Sequence, residues 1–373
     1  MSEAPVLFST VALKNGQQLG HAQLNLPKAL NALNLEMVQL LTKQLQSWQA
    51  DEEIAAVVLS GAGEKAFCAG GDVVSLYKAM QAEPNKTLGS VETFFTEEYQ
   101  LDFLIHTYSK PVVVWGNGFI MGGGIGLFSG ASHKVVTETT RLAMPEITIG
   151  LFPDVGGSYF LNQLKDNMGL FLGLTGVQIN AADARLIGMA DYAVADTSID
   201  TFMDKLASAE FAAIADGLNL VLTELNSVSE DKLPASNIAQ FEPQIQSAMA
   251  QTSLTEVVAE VSKWLESDEK WLNRAAKTLV NGSPVTQRLV WEQLQRGKQL
   301  SLADCFRMEL IMACRCASAG EFQEGVRALL IDKDGAPNWL YPSQDMIPDE
   351  FIASFFMGNW TEQNHPLANL GVA

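Results

Sequence analysis

Apolar residues alternate with polar ones from Val6 to Leu26, a period of two that predicts a pair of strands, with Asn15-Gly16 supplying the tight turn between them. From Asn34 to Trp48 the period lengthens, and Leu35, Val38, Leu41, Leu45 and Trp48 fall on one stripe, as in a helix with a single buried face. Short runs at 56–60, 111–115 and 134–137 are apolar and bounded by turn signals, so they predict buried strands. A polar loop at 83–90, EPNKTLGS, precedes a helical stretch from Val91 to Tyr108. The tract LTGVQINAADARLIGMADYAVA, 174–195, carries an N-cap at Asn180 and a glycine stop at Gly188. After Asp196 the pattern changes to long amphipathic helices at 200–226, 254–280, 284–298 and 301–319, with linkers at 227–237 and 281–284 and Pro284 suited to a first helical turn. Strands separated by helices predict an α/β core over residues 1–199, followed by a helical region over 200–373.

With 373 residues, 47% of them hydrophobic, the chain can bury a substantial core. Its formal charge of −19 argues against nucleic acid and against an anionic membrane surface as partners. Cys68, Cys305, Cys314 and Cys316 form neither a zinc pattern nor a secreted framework, so no metal is expected. Reduced thiols, together with a first stretch that has neither a basic start nor Arg-rich character, predict a cytoplasmic protein. No apolar run is long enough for a spanning helix. His21, His106, His133 and His365 show no arrangement that would activate Cys68, which is assigned to packing. Trp264, Trp271 and Trp291, at helical spacings, are assigned to the core, and Arg327 and Lys333 to pairing with acidic neighbours. A homo-oligomer is an open expectation.

Candidate chemistry concentrates between Lys110 and Phe160. The run Pro111–Trp115 enters a cluster, Gly122, Gly123 and Gly124, where the backbone can approach a ligand and a following helix can aim free N–H groups at it. GGGIG matches neither a P-loop nor a dinucleotide fingerprint. A second strand-to-glycine turn, KAFCAGGDV at 65–73, follows the run at 56–60. Two such turns, each able to offer one backbone N–H, can make an oxyanion hole. Downstream, Glu146 after Pro145 and Asp154 after Pro153 are carboxylates in an apolar setting. Taken alone each reads as a cap or turn residue, and Glu98 as an exposed helical charge beside Glu97.

These two loops, with LPKALNAL at 26–33, resemble the enoyl-CoA hydratase/isomerase, or crotonase, superfamily. The resemblance implies a crotonase-like fold of stacked ββα turns with a C-terminal helical region, and an acyl-CoA substrate whose thioester oxygen sits between two main-chain N–H groups. The donors it implies are Gly71 and Gly123, and the CoA-lining positions are Lys28, Leu30, Lys65, Ala69 and Asp72. Hydratases of the superfamily use two glutamates; here the first of those positions is Gly126, and only Glu146 remains. Asp154 in GLFPDVGGSYF, Glu98 in FFTEEYQLDF and the tail EFQEGVRALLIDKDGAPNW resemble the branch that hydrolyses 3-hydroxyisobutyryl-CoA in valine breakdown. By that likeness Glu98, Gly123, Glu146 and Asp154 contact substrate, and CoA is part of the substrate rather than a cofactor. Whether Glu146 attacks the carbonyl or activates water stays open, as does whether Asp154 binds the 3-hydroxyl or moves a proton. A hydratase or isomerase, and a silent CoA-binding scaffold, are the competing readings.

Overall fold

A computed structural model describes residues 4–82, 89–195 and 198–372, so most of the polar loop expected at 83–90 lies outside the described residues. The chain forms two compact, interleaved units: the first gathers residues up to Gly71, Leu101–Leu142 and Ile179–Gln240, the second Asp72–Gln100, Ala143–Gln178 and residues from Phe241 onward. The compositional boundary at 199/200 separates mixed sequence from helical sequence; each compact unit draws on both sides of it.

The first unit is built on a six-stranded sheet. Its strands are β1 (Val6–Ala12), β2 (Gln18–Leu24), β3 (Ile54–Gly61), β5 (Val112–Gly116), β7 (His133–Thr137) and β9 (Tyr192–Val194), in the order β1-β2-β3-β5-β7-β9. The hairpin turns where alternation predicts, with Gly16 at φ 88° and Leu13 N–H donating to the Gln17 carbonyl at 2.8 Å. From β2 onward every pairing is parallel, as the intervening helices require. One face carries Val58, Val113, Trp115, Val135 and Val194, buried under Phe202, Leu206, Leu218 and Leu222 of the helices Ser198–Ser208 and Ile214–Ser227. The Trp115 and Phe202 rings pack in a tilted pair, 5.6 Å between centroids. The helix Leu35–Ala50 starts on Asn34, whose side chain caps Met37 N–H at 2.9 Å. Its buried stripe is Met37, Val38, Leu41, Leu45 and Trp48; Leu35, in the first turn, is only half-buried. A smaller sheet joins β4 (Ala66–Cys68), β6 (Phe119–Met121) and β8 (Arg141–Ala143).

The helix expected at 200–226 is two, because Phe211 folds across Gly217, a position where any side chain would meet the Phe211 ring at 2.6 Å. The break is written in packing rather than in a proline. Asn180 caps the helix Ala181–Leu186 through a reciprocal pair with Asp183, and Gly188 has φ 82°, as expected.

The second unit is helical. Phe171 packs against Trp264 and Trp271, and Phe241 stacks on Trp271 at 5.9 Å, so these two tryptophans serve packing. The expected helix 254–280 is interrupted by a tight turn at Lys263–Glu266, leaving Leu254–Ser262 and Lys270–Asn281. The helix Asn237–Met249, with Pro243 inside it, fills a stretch between the linker at 227–237 and the helix expected from 254 where the pattern predicted no element. Pro284–Gly297 and Leu302–Ala319 form where predicted, with Ser283 and Ser301 as N-caps. Arg327 pairs with Glu324, Asp332 and Asp334 at 2.7–2.8 Å, the pairing expected from its acidic neighbours. Among the described residues no helix is long and apolar enough to cross a membrane.

Candidate active site

In the first unit the two glycine loops lie backbone against backbone. Gly70 has φ 111°, and a Cβ there would stand 3.4 Å from the Met121 carbonyl; a Cβ on Gly124 would overlap the carbonyl of Cys68. Only glycine permits that approach. Gly123 opens the helix Gly123–Ser129 behind Gly122, so its N–H belongs to a first turn with no intrahelical acceptor. Gly71 bridges to Leu33 through the Leu33 N–H to Gly70 carbonyl bond at 2.8 Å. The structure thus brings both expected donors into one packed pair of loops. One turn beyond Gly123, a Cβ on Gly126 would stand 2.5 Å from Oδ2 of Asp102, a buried carboxyl that occupies the room a side chain at 126 would need.

Of the CoA-lining positions, Leu30, at φ 53°, accepts from Ala69 N–H at 3.0 Å, so these two adjoin. Lys28, on the turn Pro27–Ala29, and Lys65 are exposed. Asp72 caps its own helix: its carboxylate takes Ser75 N–H at 3.1 Å and Ser75 Oγ–H at 2.6 Å.

In the second unit the three expected acids are all buried: Glu98 is 2% exposed, Glu146 and Asp154 4% each. Glu98 is therefore not the solvated helix charge that its sequence context alone suggests; half-buried Glu97 takes the outer position. Glu146 starts a tight turn after Pro145 that ends at Gly150, φ 68°, where a Cβ would overlap the Glu321 carbonyl. Asp154 is held by Tyr99, whose hydroxyl donates to Oδ2 at 2.8 Å. Burial pushes the Asp154 carboxyl up to about 7, against the opposing effect of the Tyr99 hydrogen bond. Glu98 is raised by burial and then by the charge of Asp154; Glu146 by burial, then by Asp154, with a smaller push from Glu98. One oxygen of each glutamate, Oε1 of Glu98 and Oε2 of Glu146, accepts no hydrogen bond from any described residue. Buried acceptors left in that state are places for a ligand's donors.

The thiols are unsuited to nucleophilic attack. Burial pushes Cys305 and Cys314 up to about 12 and Cys316 well above its ordinary range, so none provides a thiolate. Cys68 points Sγ at the Gly70 carbonyl, 3.6 Å away, consistent with packing inside its loop. Among the described residues no group of His, Cys, Asp and Glu could hold a metal ion.

Sequence reasoning missed Tyr99, Asp102, Gln293 and Glu309. Tyr99 and Asp102 lie inside the quoted FFTEEYQLDF but their partners are far off in sequence. Glu309 did leave a signal: it falls three residues after Phe306 and one before Leu310, on the buried stripe of its own helix.

Known proteins resemble the chain along most of its length. A sequence model of the family described as enoyl-CoA hydratase/isomerase matches residues 19–356. The chain is 37% identical over 351 residues to a protein of Danio rerio named "3-hydroxyisobutyryl-CoA hydrolase, mitochondrial", covering 94% of this chain and 89% of that one. It is 39% identical over 338 residues to a protein of the same name from Dictyostelium discoideum, covering 89% and 87%. A crystal structure of a carnitinyl-CoA dehydratase from Mycobacterium thermoresistibile superposes with a TM-score of 0.82 at 32% identity, covering 95% of this chain and 97% of the other. The expectation of a cytoplasmic protein is corrected here: the relatives are named as mitochondrial, which points to that compartment instead. Reduced cysteines suit a mitochondrial interior as well as the cytoplasm, so they never discriminated between the two. With a family match along most of its length, and relatives above 30% identity over the same span, the chain belongs to the enoyl-CoA hydratase/isomerase family, the crotonase superfamily.

Proposed function

We propose that the protein hydrolyses 3-hydroxyisobutyryl-CoA to 3-hydroxyisobutyrate and CoA, a step of valine catabolism. The observation that carries this reading is the pair Glu146 and Asp154, two buried carboxyls eight residues apart, both held towards protonation, with Gly126 bare of the second glutamate that hydration uses. The names of the relatives favour the same reaction.

The N–H groups of Gly71 and Gly123 take the charge that develops on the thioester oxygen. Glu146 either removes a proton from water as it attacks the carbonyl carbon, or attacks that carbon itself and is released by water. In both routes a C–O bond forms, the C–S bond breaks, and the sulfur leaves with a proton as free CoA. Asp154, oriented by Tyr99, holds the 3-hydroxyl, and Glu98 positions the acyl end through its unpartnered oxygen. The CoA phosphates fall to exposed Lys28 and Lys65, whose charge offsets an otherwise acidic chain, and the pantetheine runs by Leu30 and Ala69. Asp72 contributes to the CoA site through the helix that its side chain caps. No cofactor takes part, since CoA arrives as the substrate's leaving group.

Purified protein should release free thiol from 3-hydroxyisobutyryl-CoA while leaving the enoyl absorbance of crotonyl-CoA unchanged. Hydration of crotonyl-CoA without thiol release would make it a hydratase. Binding of both thioesters with neither reaction would make it a scaffold.

A further inference from the structure

Immediately after Asp154 the backbone takes an unfavourable course. Val155, a β-branched residue, has φ 53°, and Gly156 follows at φ 87°. Left-handed conformations are rare for β-branched side chains and persist only where the surroundings over-determine them. The over-determining group is Glu309. Its two carboxylate oxygens take different amides: Oε2 accepts from Gly156 N–H and Oε1 from Ser158 N–H, both at 2.8 Å. Glu309 is fully buried in the middle of the helix Leu302–Ala319, so a rigid element delivers the contact. On the same helix Phe306 packs its ring 5.6 Å from that of Tyr99, the residue that donates to Asp154. Gln293 closes the other end of the segment, donating through Nε2 to the Pro153 carbonyl at 2.5 Å and to Ser158 Oγ at 3.2 Å.

A buried carboxylate spent on two backbone amides is costly to desolvate, and an apolar side chain of similar size would pack there at lower cost. What the carboxylate supplies that an apolar side chain cannot is fixed placement of the chain on either side of Val155. We propose that Glu309 is a positioning residue for the hydrolysis: it holds the 153–158 segment in its strained path and thereby sets the Asp154 carboxyl against the substrate. The inference rests on the role proposed above for Asp154. Glutamine cannot replace it, because one of its two ends is an amide N–H₂ that would face an N–H donor. Burial pushes Glu309 up to about 8 against the opposing effect of its Ser158 and Gly156 hydrogen bonds, which favour the carboxylate, and the charge of Asp154 adds a smaller push upward.

The test is a double-mutant cycle between Glu309→Gln and Asp154→Asn, read by thiol release from 3-hydroxyisobutyryl-CoA, with hydrogen exchange at Gly156 and Ser158 alongside. If Glu309 acts through Asp154, E309Q lowers kcat by about 10- to 100-fold with KM changed less than about threefold. In the D154N background the same change costs less than about twofold more. Multiplicative losses in the double variant, or wild-type kcat in folded E309Q, would overturn the proposal. Where E309Q does not fold, Glu309→Asp, which keeps both acceptor oxygens on a shorter arm, carries the same cycle. Exchange separates this inference from the reaction assigned above. Should the wild type release no thiol, the hydrolase reading fails, while slow exchange of both amides that becomes fast in E309Q still supports the clamp. Fast exchange in the wild type refutes it.

Discussion

Glu146 has an oxygen that no described donor reaches, and burial with the charges of Asp154 and Glu98 holds it towards the protonated form. A base in that state works only once ionised, so kcat/KM should climb with pH along a limb displaced above the ordinary glutamate range. Asp154→Asn deletes the largest of the neighbouring charges, and the limb of its residual activity should move to lower pH. An ordinary carboxylate limb in both proteins would remove Glu146 as the base. Glu146→Gln should cost roughly 10²-fold or more in kcat while leaving CoA affinity within a few-fold, measured by turnover and by calorimetry. If Asp154 holds the hydroxyl, D154N should slow 3-hydroxyisobutyryl-CoA far more than isobutyryl-CoA, which has no hydroxyl to hold. Equal slowing of the two would make Asp154 a proton carrier. These acids were legible because charged residues beside proline in an apolar tract, with glycine loops upstream, matched a known pattern. For Glu309 only its burial was legible, from the stripe of its helix; its partners lie 151 and 153 residues away, and no local spacing records them.

Between the glycine loop and the helix ending at His106, Gly126 and Asp102 compete for one space. Gly126→Ala would put a methyl group 2.5–2.7 Å from the Asp102 carboxyl, and overpacking of that kind costs about 1–3 kcal/mol, visible as a lower Tm. The penalty should shrink in an Asp102→Ala background, and a full penalty there would place its cause elsewhere. A glutamate at 126 would meet the same carboxyl, so it would need Asp102 to give way. Strands and capped helices were readable because their causes are local: Asn15-Gly16, the Asn34 and Asn180 caps, and Pro284 each act within a few residues. The division of 200–226 was not, because Phe211 against Gly217 is a packing event inside a continuous helical pattern. Asn237–Met249 was hidden by Pro243, although Ile238, Phe241, Ile245 and Met249 keep a helical spacing.

For the molecule as a whole, acids raised by burial link stability to pH. Asp154 moves from 3.8 to about 7 and Glu309 from 4.5 to about 8, so the folded state holds their protons more tightly than the unfolded chain does. Their stabilisation is present in full below about pH 4 and is lost as pH rises through 7 to 8. The Tm should fall between about pH 4 and 8, and E309Q and D154N should each flatten that slope; parallel slopes in all three proteins would assign the loss to other groups. The interleaving of the two units sets an order of events during synthesis. The first unit has all its segments once Gln240 has left the ribosome, whereas the turn after Asp154 waits 153 residues for Glu309. At bacterial or eukaryotic elongation rates that wait is about 8 to 30 seconds. Throughout it the Gly156 and Ser158 amides have not yet met their acceptor. A ribosome stalled before codon 309 would therefore hold a chain whose turn after Asp154 still lacks the carboxylate that fixes it.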